Sequence, residues 1–594
     1  MNTINTKLRQ PAVIGIMMGL VAILVHLPVI QNDFVYDDFP AVVENPLVNG
    51  ELENADWTDA FTGHYWGNRP GFENLNMWRP LTTLSFYLNA QLFGMEPASF
   101  HAVNLLLHGL VTALVVLLFQ VWFGRVAVSA IAGGLFAVMP VHVEVIAAVA
   151  NRTELIAAVF YIGGLAAWIR ARSGEHSGRY FGVALACLAL GLLAKEHVVT
   201  WPCAVLVYEL YRRFDDKELN YSAPPMQILG AMAGIIVLYF WARASVFTSA
   251  FDWQVPAADN PLVEHGFSAR ILTSGSIIFN YLQMLIAPVQ LSADYSANAI
   301  PIVTSWSDGN ALAGLFFLSL TVLTMVSAAL THRSIAACTA LFLGLLVFVS
   351  NLLFLIPIIM AERLMYLPSF AWCGLMGLIV AEIFAAPQRS RVFFVIGCVV
   401  MFSGYATRSF SRTMDWHDEL TLFEKTVKAV PTSARAQYNY GWALLKKGDL
   451  DAAERHLKKS NAIVPGDADV LNAMGTIRWN RKDAKGALAF YERSFSARPN
   501  AAAVANLCRA FVANGQNQRA VKSCRIASAR YPRNAMVHHF WGLALAQIGD
   551  LEKALKVLER ARSIEPQHPG ILKDFQRIKR QAARAGTVPK VENK

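Results

Sequence analysis

The chain has 594 residues, of which 55% are hydrophobic and 16% are charged, and its formal net charge is +10. A soluble domain usually carries about 25% charged residues, so this composition excludes an ordinary soluble protein and indicates a polytopic membrane protein. Residues 1–412 hold 21 Lys+Arg and 25 Asp+Glu, whereas residues 413–594 hold 31 and 17. The sequence therefore predicts an apolar body with a basic, water-soluble tail, whose partners would be acidic surfaces or anionic lipid head groups.

The first predicted element is an apolar run over residues 11–30, which follows Lys7 and Arg9 and precedes no small-residue cleavage site. This pattern predicts an uncleaved first span with its N-terminus in the cytoplasm. Ten more apolar runs predict membrane spans over residues 102–122, 127–143, 155–170, 180–194, 198–211, 227–244, 311–330, 335–355, 366–385 and 391–407.

Eleven alternating spans place every basic loop in the cytoplasm, as the positive-inside bias requires, provided that residues 269–289 do not cross. The basic loops lie at Arg125 and at residues 170–179, 212–217, 331–333 and 387–391. Polar residues interrupt the 269–289 run, which favours an interfacial or re-entrant helix. The basic tail is therefore predicted to lie outside the cytoplasm.

The tail has a period of 34 residues, marked by prolines at positions 431, 465, 499, 532 and 566. Small residues recur at fixed distances after these prolines, for example Gly441, Gly475 and Gly542. This is the tetratricopeptide pattern of paired helices, which presents a concave groove for an extended peptide. The predicted fold class is all-α: a membrane bundle of about eleven spans followed by an α-solenoid.

The predicted domains are a membrane domain over residues 1–412, with its first external loop at 31–100, and a connecting segment at 413–430. Four repeats follow at 431–566, then a capping helix at 567–586 and a tail at 587–594.

Six polar clusters fall at the predicted outer boundary of the membrane domain. They are Asp37 with Asp38 and residues 78–89, 100–108, 140–154, 194–198 and 361–368. Each has an ordinary explanation by itself, since an arginine can snorkel and a histidine can satisfy a helix end. Together they predict one polar cavity that opens outward and combines carboxylates with cations.

Such a cavity suits the transfer of a sugar from a lipid phosphate to a hydroxyl group. That reaction needs a base for the hydroxyl proton and cations for the departing phosphate. Asp37 and Asp38 are the candidate catalytic carboxylates, and the candidate phosphate-binding cations are Arg152, Lys195, Arg363 and Arg79. The other residues predicted to line the cavity are His101, His142, Glu144, Glu154, Glu196, Glu362 and Tyr366.

Two other interpretations use the same residue types. The acidic pair can equally hold a divalent metal with Glu144 or His142, since carboxylates suit Mg²⁺ or Mn²⁺. A proton relay in a transporter would also place carboxylates and histidines in the membrane. There is no GxGxxG motif followed by an acidic residue, no phosphate-binding Walker loop and no CxxC motif.

Two of the seven cysteines, Cys508 and Cys524, occupy the two helices of the third predicted repeat at positions that normally face each other. Outside the cytoplasm they would form a disulfide, and otherwise they are two buried thiols.

The polar clusters, taken in order, resemble the transmembrane and tetratricopeptide-repeat containing O-mannosyltransferases of the C-type glycosyltransferase superfamily. The matching segments are "FVYDDFPAVVENPLV", "WRPLTTLSFYLNAQLFGMEPASFHAVNLLLH", "PVHVEVIAAVANRTELIAAVF", "LLAKEH", "AERLMYLPSFAWC" and "DWHDELTLFEKTVKAVPTSARAQYNYGWAL". The resemblance implies a polyprenyl-phosphate-linked sugar donor and acceptor Ser or Thr hydroxyls outside the cytoplasm. It also implies a catalytic acidic motif in the first external loop, which falls on Asp37–Asp38 and favours Asp37 as the base.

The repeat array is shorter than in the animal members, and the loops are short, which suggests a bacterial relative. In a bacterial inner membrane the repeats would be periplasmic and the donor lipid would resemble undecaprenyl phosphate. The expected partners are the lipid-linked donor, an acceptor protein bound by the repeats and membrane lipids, with no nucleic acid. The alternatives are a membrane-anchored tetratricopeptide scaffold without activity and a transporter or flippase of a lipid-linked saccharide.

Overall fold

The structure is a computed structural model, and it describes residues 2–52, 56–67, 76–174, 176–214, 222–247, 255, 257, 259–296, 298–385 and 388–585. No strand occurs among these residues, so the all-α prediction is confirmed. The chain divides into two compact units, Met1–Pro431 and Thr432–Lys594. The predicted tail at 587–594 lies outside the described residues.

The first unit consists of helices joined by short turns and by several longer connections, such as the one between Ile286 and Gly309. Its α-helices are α1 (Asn2–His26), α2 (Asp59–Thr62), α3 (Pro80–Phe93), α4 (Pro97–Phe123), α5 (Val126–Val138), α6 (Val143–Ala147), α7 (Arg152–Arg172), α8 (Ser177–Ala194), α9 (Trp201–Arg213), α10 (Met226–Val246), α11 (Phe267–Ile286), α12 (Gly309–Thr331), α13 (Arg333–Val349), α14 (Tyr366–Ala385), α15 (Gln388–Met414) and α16 (Glu419–Ala429). The segment predicted to be a connector at 413–430 therefore contains a helix and belongs to the first compact unit.

Each of the eleven predicted spans falls on one of these helices, but fewer have the dimensions of a full span. Within the described residues, eight helices are long and apolar enough to cross a membrane, and α5 with the bent segment after it makes a ninth. The predicted count of eleven is higher because α9 has only 13 residues and α13 only 17. A full crossing needs about 20 residues at 1.5 Å per residue.

Helix α11, which was predicted not to cross, is not among these eight or nine. Its polar residues Thr273, Ser274 and Ser276 are buried against neighbouring helices. Its contact with α12 is made by backbone, since a Cβ on Gly314 would overlap the carbonyl oxygen of Gly275. A Cβ on Gly275 would lie 2.5 Å from the carbonyl oxygen of Ala311. Glycine is therefore required at both positions for the two helices to approach this closely.

The second unit is a row of antiparallel helix pairs. The helices are α17 (Ala434–Lys447), α18 (Leu450–Ile463), α19 (Ala468–Asn480), α20 (Ala484–Ala497), α21 (Ala501–Ala513), α22 (Asn517–Arg530), α23 (Ala535–Gln547), α24 (Leu551–Ile564) and α25 (Pro569–Arg584). Most begin at a side chain that accepts a hydrogen bond from the first turn, which explains the regular starts. These residues are Ser433, Asp449, Asp467, Asp483, Asn500, Asn534, Asp550 and His568.

The predicted four repeats and capping helix are thus four pairs and α25. Small residues lie where paired helices meet, for example Gly441 against Leu457 and Gly475 against Tyr491. In the third pair, Cys508 and Cys524 form a disulfide with their Cα atoms 5.9 Å apart. Of the two interpretations of these cysteines, the structure contains the disulfide.

Candidate active site

The acidic pair lies in a tight turn that follows α1 and a short 3₁₀ turn at Leu27–Gln31. Tyr36, just before the pair, has a φ of 53°, in the left-handed region that few residues other than glycine adopt. Asp38 has no exposed surface, and its two carboxylate oxygens accept hydrogen bonds from the backbone N–H groups of Val35 (3.1 Å) and Ala150 (2.8 Å). Asp38 therefore holds the turn against the segment that leads into α7.

The surroundings of Asp38 also affect its ionisation. Burial raises the pKa of the Asp38 carboxyl to about 7, although the N–H groups of Ala150 and Val35 oppose that shift. Asp37, by contrast, lines a cavity. The two neighbouring aspartates thus differ in position: Asp38 is buried behind the cavity lining, and Asp37 lines the cavity.

The cavity has a volume of about 240 Å³ and is lined by both polar and apolar residues. Its charged and ionisable residues lie at a helix end or in a turn next to one, where backbone breaks leave room for side chains to converge. They are Asp37, Arg79, Glu154, Lys195, Glu196, His197 and Arg363, together with Tyr65.

The three Lys and Arg side chains listed above are each paired with a carboxylate. The Lys195 ammonium group donates to Glu154, and Arg79 donates to both oxygens of Glu196 at 2.9 and 3.2 Å. Arg363 donates to Glu144 through its guanidinium group at 2.5 Å and through its backbone N–H at 2.8 Å. These carboxylates fix the directions in which the cations point.

Burial changes the ionisation of the groups in the turn that follows α8. It lowers the pKa of Lys195, against the attraction of Glu154, and it lowers the pKa of His197 to about 4. His197 is therefore neutral near pH 7, with its Nδ1 atom 3.7 Å from Glu154. Although burial opposes it, Arg79 holds the pKa of Glu196 well below its usual range.

Most of the remaining residues that line the cavity are apolar. They include Leu345, Phe348 and Val349 from the end of α13 and Ile356 and Pro357 from the segment that follows. A second cavity, of about 490 Å³, shares Thr200, Leu345 and Phe348 with the first. The second cavity is lined almost entirely by apolar residues of α9, α12 and α13. The polar site and the apolar cavity are therefore neighbours that share part of their walls.

The sequence of the chain is similar to those of known proteins. The family described as Protein O-mannosyl-transferase TMTC, DUF1736, matches residues 251–322, and tetratricopeptide repeat families match residues 420–477 and 506–569. Human Protein O-mannosyl-transferase TMTC3 is 27% identical and covers 73% of this chain and 49% of its own length. Human TMTC4 is 28% identical, covering 74% of this chain and 65% of its own. These matches support the TMTC family.

A third relative, human TMTC1, is 28% identical over 77% of this chain and 56% of its own length. The chain thus spans about half to two thirds of the length of the TMTC relatives that it matches. Among solved structures, the tetratricopeptide protein YrrB matches 30% of this chain and 91% of its own at 19% identity, with a TM-score of 0.24. The tetratricopeptide prediction is confirmed by the two repeat-family matches.

The structure brings together a large part of the predicted set of site residues. The cavity collects Asp37, Arg79, Glu154, Lys195, Glu196 and Arg363 from five separate segments of the sequence.

Arg152, which was predicted to bind the donor phosphate, does not line the cavity. Its guanidinium group is fully buried outside the cavity. It donates to the side chains of Asn104 and Asn89 and to the carbonyl oxygens of Ser85 and Phe100. These bonds tie α7 to α3 and α4, so Arg152 organises the walls of the site without facing the cavity.

Five residues predicted to line the cavity lie behind it instead. Glu144 orients Arg363, while Glu362 accepts from the backbone N–H of Ser292 at 2.5 Å. The others are engaged in the buried core: His101 near the carbonyl oxygen of Asp33, His142 with Ser369 and Tyr366 with His108. Each of these five side chains has a hydrogen-bond partner inside the protein, as a buried polar group requires.

Two kinds of residue at the site are not among the individually predicted site residues. His197 stands beside Lys195 and Glu196, and this adjacency was the available signal. Phe348 and the other apolar residues of α13 have no such signal, because they look like any other part of a span.

The described residues do not fit the alternative of a metal site. No group of three or more His, Cys, Asp or Glu side chains among them is arranged to hold a metal ion. Both oxygens of Asp38 accept from backbone N–H groups, and Glu144 is paired with Arg363. No step below therefore uses a metal.

Proposed function

We propose that the protein is a membrane O-glycosyltransferase that moves a sugar from a polyprenyl-phosphate donor to Ser or Thr hydroxyls of an extracytoplasmic protein. The observation that carries the proposal is the cavity in which Asp37 faces Lys195, Arg79 and Arg363 beside an apolar wall. A base, several cations and an apolar surface are the three elements that such a transfer requires. The names of the TMTC relatives, protein O-mannosyl-transferases, make a mannosyl group the first sugar to test.

Asp37 is the proposed base. Its carboxylate takes the proton of the acceptor hydroxyl while the hydroxyl oxygen forms a bond to the anomeric carbon of the sugar. The bond between that carbon and the phosphate oxygen breaks, and its electron pair leaves with the polyprenyl phosphate. Asp38 holds the turn and does not meet the substrate, because its oxygens are occupied by Val35 and Ala150.

Lys195, Arg79 and Arg363 are the proposed ligands of the donor phosphate. An ammonium group has three N–H donors and a guanidinium group has five, so each has capacity beyond its carboxylate partner. The cations stabilise the negative charge that develops on the leaving phosphate. Neutral His197 is a further hydrogen-bonding group beside them.

The polyprenyl chain is proposed to lie against the apolar residues of the site and in the neighbouring second cavity, which shares Thr200, Leu345 and Phe348 with it. Phe348 and Leu345 line both cavities, so a chain attached to a phosphate at Lys195 would enter between α9, α12 and α13. The repeats are proposed to bind the acceptor protein. In a bacterial inner membrane the N-terminus would be cytoplasmic and the repeats periplasmic.

The test is transfer of mannose from synthetic polyprenyl-phosphate-mannose to a panel of Ser/Thr peptides by the purified full-length protein. We expect Asp37→Asn to lower kcat by about 10²–10⁴-fold, because it removes the base, with little change in melting temperature. Glu51→Gln, an exposed carboxylate in the same loop, is the matched control and should keep full activity.

Mass spectrometry of the peptides gives the site and the mass of the transferred sugar. No transfer by the wild type with either polyprenyl or dolichyl donors would contradict the proposal and favour a scaffold. Full activity of Asp37→Asn would remove Asp37 as the base.

A further inference from the structure

We infer that the loop at residues 291–296 is a clamp that sets the position of Asp37 relative to Arg363, with Asp294 and Tyr36 as positioning residues. The inference rests on the proposed function for its catalytic consequence, but its structural part is independent. The loop lies within the segment that matches the TMTC, DUF1736 family, and none of its residues lines the cavity.

The first arm of the clamp reaches the acidic turn. The Tyr36 hydroxyl donates to Oδ2 of Asp294 at 2.7 Å, across 258 positions of sequence. Oδ1 of Asp294 accepts from the N–H of Ser296 at 2.7 Å and from its hydroxyl at 2.5 Å, so both oxygens of the carboxylate are used. The ring of Tyr36 packs edge-on against Phe423 at 5.7 Å.

Tyr36 needs such anchoring because of its backbone conformation. A φ of 53° in a residue with a large side chain is unfavourable and persists only where the surroundings enforce it. The following residue is Asp37, so any relaxation of Tyr36 would move the carboxylate in the cavity. The hydrogen bond to Asp294 and the packing on Phe423 are contacts across the fold that oppose this relaxation, and the hydrogen bond is the one that a substitution can remove alone.

The second arm reaches the turn that carries Arg363. The N–H of Ser292 donates to Oε1 of Glu362 at 2.5 Å, and the Tyr295 hydroxyl donates to the same oxygen at 3.0 Å. Glu362 immediately precedes Arg363 in the 3₁₀ turn Glu362–Met365. One buried loop therefore holds the residues next to both the proposed base and a proposed phosphate ligand.

The test compares Tyr36→Phe and Asp294→Asn with the wild-type protein by hydrogen exchange and by steady-state kinetics. Tyr36→Phe keeps the ring on Phe423 and removes only the donor, while an amide at position 294 has one acceptor oxygen in place of two. Because a hydrogen bond to a charged group is lost, we expect exchange of the amides in residues 36–41 to be about ten- to a hundredfold faster in both variants. The double variant should exchange no faster than the faster single one, since both remove the same bond.

The kinetic expectation is a fall in kcat of about tenfold or more, with the donor KM within about twofold, as for a displaced catalytic group. Tyr180→Phe is the control: Tyr180 also packs against the core, and its hydroxyl makes no hydrogen bond among the described residues. It should leave both exchange and kcat unchanged.

Unchanged exchange at residues 36–41 in both variants would overturn the clamp, whatever the activity. A lower kcat together with a lower melting temperature, and with no change in exchange at residues 36–41, would also overturn it. That result would indicate a general loss of stability. A wild-type protein without transferase activity would overturn the proposed function, and the exchange experiment would still decide the clamp.

Discussion

Asp37 and Asp38 are adjacent in sequence but face different environments. Asp37 lines the cavity, while Asp38 is enclosed and accepts from the backbone on both sides. The sequence alone shows an acidic pair in a loop at the membrane boundary, but it does not show which of the two residues lines the cavity. That depends on the conformation of the turn, which is set by contacts with distant residues such as Ala150 and Asp294.

A pH experiment tests the state of Asp38. Its pKa is about 7 in the folded protein and about 4 in an unfolded chain, so the folded form binds the proton more tightly. The stability that this gives is fully present below about pH 4 and is lost as the pH rises through about 7. In Asp38→Asn the titration is absent and the Nδ2 group faces a backbone N–H, so the variant is less stable.

We therefore expect the difference in melting temperature between wild type and Asp38→Asn to be largest near pH 4 and to shrink towards pH 8. Thermal unfolding in detergent over this range measures it, with Glu51→Gln as a control that shows no such trend. A difference that grows with pH would mean that the backbone N–H groups outweigh burial and keep Asp38 ionised.

The residue types in the sequence predicted which residues belong to the site better than they predicted the role of each one. Lys195, Glu196, Arg79 and Arg363 stand out because charge next to a span is costly, and the structure collects them around one cavity. Arg152 stands out for the same reason but is satisfied by carbonyl and amide oxygens inside the protein. A single sequence does not distinguish these two outcomes, since both require a polar residue in an apolar context.

At the scale of elements, helices were predicted well and their lengths less well. Each apolar run falls on a helix, because the hydrophobic signal extends over several helical turns. Helices α9 and α13 are shorter than a full span, since an apolar run does not reveal where its helix stops. The repeats were predicted closely because the 34-residue period repeats the same caps and small residues.

The disulfide in the third helix pair gives a prediction at this scale. It closes a loop between positions 16 apart, and the entropy model assigns about 3 kcal/mol to a loop of that size. For a unit of this size, that corresponds to a melting temperature lower by about 6–12 °C in Cys508→Ala/Cys524→Ala. Calorimetry of the intact protein with and without dithiothreitol measures the change.

Cys203→Ala is the control for this experiment, because Cys203 is an exposed free thiol. It should not change the transition. A transition that is the same with and without reductant would contradict the stabilising role of the disulfide.

At the scale of the whole molecule, the chain divides into two compact units, Met1–Pro431 and Thr432–Lys594. The second unit has apolar clusters of its own, whose buried residues include Leu507, Phe511, Leu545 and Leu558. We therefore expect residues 432–594, expressed alone, to fold into a helical monomer with a cooperative thermal transition. Circular dichroism measures the helix content and the thermal transition. The fragment begins at Thr432 because the two compact units divide between Pro431 and Thr432. A non-cooperative melt would mean that the repeats depend on the membrane unit.

The glycine contact between α11 and α12 has a consequence for how this protein can vary. Gly275 and Gly314 lock two helices whose connection carries the loop at residues 291–296. The ends of that connection are therefore fixed, and a methyl group at either glycine would push the helices apart and move Asp294 away from Tyr36. Gly275 and Gly314 do not line the cavity, yet they help to keep Asp294 in contact with Tyr36. We therefore expect Gly275→Ala or Gly314→Ala to disturb the acidic turn, although neither substitution changes a residue of the site.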